Sequence, residues 1–554
     1  MKPVYVLGTG LSHNGSAVLL KDGRVCVGIE KERITRRKHD GGNDSAAVAY
    51  CLEAEGITLE DLTLVVQSAN FDVPERDRFG GPRPFAGTSH PPLVTISHHL
   101  AHAWSAAGTS PFETCAILVV DGCGSPFEQC TDLAGASLPG EVAAGWCEKD
   151  SFYRFDGRRL TALVKDFSPL DTATEALRMQ TTRHSIGGFY SAVSHYVFGN
   201  LDDVGKLMGL APYGRPGAVG RSAFDIRDGR IFVTDAWKAA LTRPSSGYPT
   251  FRADFQYYAD IAFWAQREVE AAIAALFRDR LGRFPEEHVC YAGGVALNAV
   301  ANARLLNDEV VRQLYMEPAA GDNGIALGCA YHGWIEVLCR DKVPHDGSTC
   351  FGRTYGSQEI RAALADAPAA WEITRPEDLI ARAADLLAGG KTLGWFQGGS
   401  EFGPRALGRR SILAHPGIPG IGDHINANIK FREDFRPFAP AVLPEHAAAC
   451  FESGRDSPYM ILVDRTRPEL AETLHNVTHV DGTARVQTVD RSWNPAFAAL
   501  LEAFHARTQI PVLLNTSFNR RGMPMVERPE QAVALFAETA LDALVLGDVL
   551  VVKY

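Results

Sequence analysis

Two histidines and two aspartates are the residues of this chain whose types and spacing most directly suggest chemistry. His98 and His102 are four positions apart in an alanine-rich segment, so on a helix they point to the same side. Asp121 ends a buried-strand pattern, and Asp322 lies in a glycine-rich turn. Two imidazoles and two carboxylates suit a divalent transition metal that keeps positions open for substrate. The alternative, that both histidines are packing residues in a core, stays open at this point.

Four predicted elements must position these side chains. Leu93–Ile96 is an apolar, β-branched run typical of a strand, and the stretch 101–107 after it predicts a helix. Cys115–Val120 predicts a buried strand that ends on Asp121, where α/β folds place ligands. The apolar run 325–330 predicts a helix directly after the second aspartate.

The start of the chain predicts an anion-binding loop. Val4–Gly8 reads as a buried strand, and a polar glycine loop with His13 follows it, then a hairpin with Lys21-Asp22-Gly23 at its turn. This order resembles the opening of actin-like ATPase domains, in which the loop meets nucleotide phosphates. His13 could act there as a base or a hydrogen-bond donor, and an exposed histidine without a role is the alternative. Asp121 to Gly124 would form the equivalent loop of a second half, because glycine lets backbone N–H groups approach an anion.

A second pair of glycines continues this pattern. Gly293 and Gly294 follow a strand predicted at 289–292, and would bring backbone against a flat or phosphorylated ligand. Asn298 either caps the next helix or meets a ribose. The charged segment 30–39 could line an anionic substrate pocket or be plain surface.

Length and composition limit the classes of function. At 554 residues the chain is expected to form two or three domains. A net charge of −11 and a pI near 5.9 argue against nucleic acid as the main partner. Eleven cysteines without a Cys-x-x-Cys pair fit reduced thiols, and no apolar run is long enough to span a bilayer. We therefore expect a cytoplasmic protein without a membrane partner, which could form oligomers.

The second half of the chain carries a different kind of site. We place the domain boundary after residue 355, which gives domains 1–355 and 356–554. Beyond it, cations recur in glycine or proline turns and suggest a concave anion site, in which arginine clamps phosphate or carboxylate and lysine supplies a point charge. Surface cations are the alternative. The residues of this set are Arg405, Lys430, Arg436 and Arg485, with Asn515 and Ser517 as neutral hydrogen-bonding groups.

The order of these motifs resembles the O-carbamoyltransferases of antibiotic and nodulation-factor biosynthesis over nearly the whole chain. The motifs that carry the resemblance are 97–103, Asp121-Gly122, 206–214, 293–298, 321–324, 401–411, 436–440 and 515–519. The resemblance implies an α/β protein, with an N-terminal actin-like (ASKHA) duplicated ATPase-type domain fused to a C-terminal YrdC-like α/β domain. Where the family commonly has glutamate after Asp-Gly-x-Gly, this chain has Ser125.

The resemblance also implies a two-site mechanism. In the C-terminal domain, carbamoyl phosphate and ATP, with Mg, would give carbamoyl adenylate and pyrophosphate. By matching motifs, the residues that hold carbamoyl phosphate and the ATP phosphates would be Arg405, Lys430, Arg436 and Arg485, with Asn515 and Ser517 beside them.

In the N-terminal domain, a metal, iron(II) or a similar ion such as manganese, would anchor the nucleotide phosphate. Gly293, Gly294 and Asn298 would contact adenosine, and His13, Lys430 and Arg405 are the residues expected to act in catalysis. The acceptor would be a hydroxyl of a small molecule such as a sugar or polyketide, bound by loops such as 30–40, 70–90 and 125–190. Two other hypotheses are a tRNA threonylcarbamoyl-type modification enzyme and a non-catalytic regulator that binds ATP and metal.

Overall fold

The computed structural model describes residues 2–68, 76–77, 81–82, 85, 91–171, 181–182, 185–217 and 219–553. The chain divides into two compact units. The first consists of Met1–Lys31 and Asp40–His345, and the second of Glu32–His39 and Asp346–Tyr554. The boundary predicted after residue 355 lies inside the second unit, which begins at Asp346 after the short segment Glu32–His39. The predicted domains, 1–355 and 356–554, do not assign this segment to the second unit. Most of the acceptor loop expected at 70–90 lies outside the described residues.

The first unit is built on two sheets, and its predicted strands agree closely with the observed ones. Cys115–Val120 has the predicted bounds, and the predicted hairpin turn has Asp22 and Gly23 at φ values of 51° and 81°. The strands are β1 (Tyr5–Gly10), β2 (Ser16–Lys21), β3 (Arg24–Glu30), β4 (Leu62–Ser68), β5 (Arg76–Asp77), β6 (Gly81–Pro82), β7 (Leu93–Thr95), β8 (Cys115–Val120), β9 (Trp146–Phe155), β10 (Leu160–Asp171), β11 (Thr181–Thr182), β12 (Phe224–Arg227), β13 (Arg230–Val233), β14 (His288–Ala292) and β15 (Gln313–Met316).

The two sheets repeat one topology. In the first, β1, β2 and β3 form an antiparallel meander, and β4 and then β7 are added in parallel beside β1. In the second, β8, β9 and β10 form the meander, and β14 and then β15 are added in parallel beside β8. This repeat confirms the predicted duplicated, actin-like α/β architecture. The equivalent first strands, β1 and β8, end at His13's loop and at Asp121.

The helices of the first unit include the two that were predicted around the histidines and after Asp322. None of the described helices is long and apolar enough to cross a membrane. The helices up to residue 345 are α1 (Lys31–Thr35), α2 (Ser45–Glu55), α3 (His98–Thr109), α4 (Ile186–Phe198), α5 (Val204–Leu210), α6 (Tyr248–Ala253), α7 (Phe255–Arg283), α8 (Ala299–Asn307) and α9 (Ile325–His332). All of them belong to the first unit except α1, whose residues after Lys31 belong to the second.

The second unit is an α/β domain around one mixed, eight-stranded sheet that is buried on both faces. Trp395 and Leu413 belong to one core and Phe396 and Ile412 to the other, because successive side chains of a strand point to opposite faces. The strands are β16 (Trp371–Thr374), β17 (Leu393–Phe396), β18 (Arg410–Ala414), β19 (Ala439–Val442), β20 (Asp464–Arg465), β21 (Thr483–Ala484), β22 (Gln487–Thr488), β23 (Val512–Ser517), β24 (Ala543–Leu546) and β25 (Val549–Lys553). The strand order in the eight-stranded sheet is β16-β25-β24-β17-β18-β23-β19-β22. The helices are α10 (Ser357–Ala363), α11 (Leu379–Ala388), α12 (Ile421–Ile425), α13 (Pro444–Cys450), α14 (Pro495–Thr508) and α15 (Pro529–Glu538).

Candidate functional site

The two histidines and two aspartates singled out by spacing lie together in the first unit. His98 and His102 stand on successive turns of α3, with their Nε2 atoms 3.1 Å apart. Asp121 Oδ2 lies 3.0 Å from His98 Nε2 and 3.9 Å from His102 Nε2. Asp322 Oδ1 lies 3.5 Å and 3.8 Å from the same two nitrogens. All four ligand atoms fall within 4.8 Å of one another, so they can share one cation.

The electrostatics of this cluster favour a positive charge at its centre. Burial acts to lower the pKa of His98, but Asp322 and Asp121 outweigh it and raise that pKa to about 10. Burial likewise acts to raise the pKa of both carboxyls, yet the histidines hold each below its usual range. Two buried carboxylates beside two imidazoles therefore need a proton or a metal ion between them.

The donor set fits a transition metal ion. Nitrogen and carboxylate oxygen donors converge from α3, the end of β8 and the turn before α9, and the two histidines are fully buried. It is the Nε2 atom of each histidine that faces the two aspartates. The Nδ1 atoms, on the other side of each ring, have no hydrogen-bond partner among the described residues. His99, which lies between them in sequence, is directed elsewhere, because its Nδ1 lies 2.8 Å from Ser151 Oγ.

A buried ion network holds the N-terminus of α3. Glu148 Oε2 accepts the backbone N–H groups of His99 (3.1 Å) and Ser125 (2.9 Å), while Ser125 Oγ accepts the N–H of His98 (2.9 Å). These bonds satisfy helix N–H groups that the N-cap Ser97 side chain does not cap. Lys165 Nζ neutralises the glutamate at 2.5 Å. Burial opposes its charge, but Glu148 and Asp132 hold the pKa of Lys165 above its ordinary value.

Sequence reasoning missed Glu148 and Lys165, although a signal for them exists. Both lie on strands, β9 and β10, whose neighbours are almost all buried, and both side chains are fully buried themselves. Charged residues inside a buried strand pattern are rarely left unpaired. The spacing of residues in the sequence does not predict that Glu148 on β9 and Lys165 on β10 form an ion pair.

The predicted nucleotide-binding glycines lie beside Asp121. Gly294 donates its N–H to Asp121 Oδ1 at 3.0 Å, and Gly293, at φ 90°, approaches β8 so closely that a Cβ would lie 2.3 Å from Val120 O. Gly187 of α4 packs against the same corner, because a Cβ at Gly187 would lie 2.7 Å from the nitrogen of Gly122. Gly293 and Gly187 thus let backbone segments pack closely around Asp121 and Gly122.

Asn298 takes the first of its two predicted roles. Its side chain accepts the N–H of Ala301 at 3.1 Å and so caps α8. Its amide also exchanges two hydrogen bonds of 3.0 Å with Gln266. The group is therefore engaged with protein atoms.

His13 is paired with a carboxylate. Its Nε2 lies 3.0 Å from Asp202 Oδ1, and half of its side chain is exposed. The hydrogen bond to Asp202 raises the pKa of His13 to about 9, with Asp322 and Asp121 adding to the shift against burial. In this arrangement the imidazole is protonated at neutral pH, which suits a hydrogen-bond donor better than a base.

The second unit gathers the predicted cations, and Arg405 lies on a loop between β17 and β18. The carboxylate of Glu401 closes this loop by accepting the N–H groups of Leu407 (2.7 Å), Arg409 (2.7 Å) and Arg410 (3.2 Å). The guanidinium groups of Arg409 and Arg410 bind backbone carbonyls. The guanidinium of Arg405 has no hydrogen-bond or ion partner within the described ranges, although its Nε is buried. Arg409 and Arg410 thus stabilise the backbone, whereas Arg405 remains available to a ligand.

Lys430 is buried but surrounded by neutral oxygens. Its Nζ donates to Ser517 O (2.5 Å), Ser517 Oγ (3.1 Å) and Asn519 Oδ1 (2.6 Å). Asn515 is also buried, and its NH₂ group donates to Ala406 O at 3.2 Å and to Gln487 at 2.8 Å. Asn515 therefore holds the residue next to Arg405.

The cations of this cluster repel one another. Burial lowers the pKa of Arg485, and Arg405, Arg432 and Arg436 lower it further. Burial also lowers the pKa of Lys430. The positive charges of Arg432, Arg436 and Lys38 lower it further, and Lys38 belongs to the segment Glu32–His39 of the second unit.

Few carboxylates lie close enough to balance this charge. Arg436 is paired with Glu433 at 3.7 Å. Arg485 has no ion partner in the part of the chain that the structure describes, and the same holds for Arg405. Such an arrangement is relieved by an anion.

Family models match both parts of the chain. The model described as carbamoyltransferase N-terminus matches residues 6–77 and 85–331, and that described as carbamoyltransferase C-terminus matches residues 384–553.

Curated relatives cover most of the chain. Nodulation protein NolNO of Sinorhizobium fredii is 34% identical, over 98% of this chain and 79% of its own length. Nodulation protein NolO of Bradyrhizobium diazoefficiens is 34% identical, over 83% of this chain and 79% of its own. The uncharacterized protein sll1178 of Synechocystis is 32% identical, over 99% of this chain and 97% of its own.

Among solved structures, HypF of T. kodakarensis covers 60% of this chain with a TM-score of 0.40 and 15% identity, and the chain spans about half of its length (48%). Two findings identify the family of this chain: both family models match it, and it is 34% identical to NolNO over nearly its whole length. The chain belongs to the carbamoyltransferase family of enzymes.

Proposed function

We propose that this chain is an ATP-dependent O-carbamoyltransferase that makes its own activated carbamoyl donor. Carbamoyl phosphate is first hydrolysed to carbamate and phosphate. A carbamate oxygen then attacks the α-phosphorus of ATP, and pyrophosphate leaves. A hydroxyl oxygen of the acceptor next attacks the carbamoyl carbon of the adenylate, loses its proton and displaces AMP. The product is a carbamate ester.

The observation that carries the first half of this proposal is the set of cations that lack carboxylate partners. Carbamoyl phosphate and the triphosphate of ATP are both polyanions, and Arg405 and Arg485 have no ion partner among the described residues. Arginine binds phosphate through paired N–H groups, and Lys430 would add a point charge to the same cluster. Arg436, Asn515 and Ser517 complete the proposed site, Asn515 by holding the Arg405 loop and Ser517 by holding Lys430.

The second half takes place in the first unit. His98, His102, Asp121 and Asp322 would hold a divalent ion, with iron(II) or manganese as the proposed metals, and Gly122, Gly293 and Gly294 would line the nucleotide. When bound, the ion would supply positive charge to the phosphate of the leaving AMP. Protonated His13 would donate a hydrogen bond at the phosphate or acceptor. The proposed acceptor is a small molecule with a free hydroxyl, such as a sugar or polyketide, as the resemblance to O-carbamoyltransferases implies.

Release of pyrophosphate tests the first half without knowledge of the acceptor. We expect wild-type protein with Mg and ATP to release pyrophosphate only when carbamoyl phosphate is added. Lys430→Ala should abolish this release, whereas Lys391→Ala, which removes an exposed lysine of the same unit, should retain it. Metal-loaded wild type that releases no pyrophosphate would contradict the proposal and favour the tRNA-modifying or regulatory hypothesis.

A further inference from the structure

A short segment far away in sequence takes part in the cation cluster of the second unit. Glu32–His39 follows β3 of the first sheet in the chain, yet belongs to the second compact unit. We call Glu32–His39 the strap. Two of its residues, Arg36 and His39, have left-handed backbone, with φ values of 62° and 55°, a conformation that is uncommon for residues other than glycine.

Arg33 holds the start of the loop that carries Arg405. Its guanidinium, only 2% exposed, donates to the carbonyl of Glu401 and, at 2.6 Å, to the carbonyl of Gly403. The Glu401 carboxylate binds the N–H groups at the other end of the same loop. The loop is therefore fixed at its start by Arg33 and at its end by Glu401, with Arg405 between.

Arg36 holds a second turn of the same site. Its guanidinium donates to Met525 O at 2.5 Å and to Pro524 O at 2.8 Å. In the same turn, Met523 O accepts the side-chain NH₂ of Asn519 at 2.6 Å. Asn519 Oδ1 in turn accepts from Lys430 Nζ. Arg36 thus acts on Lys430 through one turn and one amide.

We propose that Arg33 and Arg36 are positioning residues for the anion site of the second unit. Each binds two backbone carbonyls at once with its planar fork, a geometry that lysine does not reproduce. Arg33 sets the place of Arg405, and Arg36 sets the place of Lys430. The inference rests on the proposed function, because it takes this cluster to be the site of carbamoyl phosphate and ATP.

A double-mutant cycle separates positioning from general support of the fold. Binding of carbamoyl phosphate to the full chain is measured by calorimetry for wild type, Arg33→Lys, Arg405→Ala and the double variant. We expect Arg33→Lys to weaken binding by about tenfold or more in the wild-type background, and to have no further effect once Arg405 is absent. Arg37→Ala, an exposed neighbour in the strap, is the matched control and should bind like wild type.

A second double-mutant cycle, with Arg36→Lys and Lys430→Ala, gives an independent test. It decides whether the strap positions the site even if Arg33→Lys does not fold. Equal losses in both backgrounds would overturn the inference, because the arginines would then act on the fold rather than through Arg405 or Lys430. Wild type that binds carbamoyl phosphate but releases no pyrophosphate would refute the proposed chemistry, while the binding cycle would still decide on the strap. Wild type that does not bind carbamoyl phosphate would refute both.

Discussion

Gly328 of α9 lies so close to Ala101 of α3 that a Cβ on the glycine would be 1.7 Å from the alanine's carbonyl oxygen. A second glycine repeats the contact from the other side, since a Cβ at Gly108 would be 2.2 Å from the ring of Tyr331. These two contacts let α3 and α9 approach backbone to backbone. The approach brings the histidines of α3 to Asp322, which lies directly before α9.

Gly328→Ala should therefore damage both the fold and the metal site. The added methyl meets backbone that cannot rotate away, and overpacking of this kind costs about 1–3 kcal/mol or more. Unfolding in urea measures the loss, and metal content measures the effect on the site. Gly282→Ala is the matched control, because this glycine in the last turn of α7 has nothing within 4 Å of its would-be Cβ and the variant should lose no stability. Equal stability of the two variants would contradict this packing.

Loss of one carboxylate should release the proposed metal. Asp322→Asn keeps the size of the side chain but removes the charge that His98 and His102 face at 3.5 Å and 3.8 Å. We expect metal content after dialysis to fall well below that of wild type, as measured by elemental analysis. Asp366→Asn, an exposed aspartate of the second unit, should keep the wild-type content. Full occupancy in Asp322→Asn would exclude this residue as a ligand.

Glu148→Gln should weaken metal binding without touching a ligand. The amide cannot accept the N–H groups of His99 and Ser125 as strongly as the carboxylate, and Lys165 loses one of its two counter-charges. Changes behind a ligand typically cost about 10–100-fold in metal affinity. Titration with a metal-sensitive dye measures the affinity, and unfolding in urea measures the stability. A variant that is destabilised but binds metal like wild type would show that the network supports only the fold.

Arg405→Ala should be far more harmful to pyrophosphate release than removal of an exposed arginine. A hydrogen bond to a charged group contributes about 1.5–3 kcal/mol, which corresponds to about 10–150-fold in the KM for carbamoyl phosphate. Arg382→Ala, at an exposed position of α11, is the control and should behave like wild type. Similar KM values for the two variants would argue that Arg405 is a surface cation after all.

Asp202→Asn should shift the titration of His13. The pair raises the pKa of His13 to about 9 from an ordinary value of 6.5, so its stabilising effect is fully present below pH 6.5 and is lost as the pH rises through about 9. Without the carboxylate, the midpoint should fall towards 6.5, and NMR titration of the ring protons measures it. A midpoint that stays near 9 would assign the shift to Asp121 and Asp322 instead.

Local patterns explain how much of this protein could be predicted from its sequence. The bounds of β8, the hairpin after β2 and the i, i+4 pair of histidines all depend on neighbours within a few residues. The convergence of Asp121 and Asp322 followed from a further rule, that strand ends and glycine turns of α/β folds gather ligands. The cations of the second unit are predicted as a site because several of them follow glycine or proline turns in the sequence, although Lys430 itself ends a helical segment.

The rest depends on contacts between distant residues. Glu148 meets the N-terminus of α3 across 49 positions, and Arg33 meets Glu401 across 368. Neither pair leaves a periodic trace in the sequence, because each side chain is matched to backbone groups rather than to a complementary residue type. For the same reason, the charged segment around Arg33 could be taken equally well for surface.

The burial of all twelve residues of α3 has a consequence for mutational scanning. A library that scores only cell growth or abundance would find Ala103 and Ala106 as intolerant as His102, since larger side chains have no room at any position of this helix. Low tolerance along α3 would thus report packing and metal binding together. A library scored by metal retention would distinguish packing from metal binding, because only variants at the ligand positions should fold and yet retain no metal.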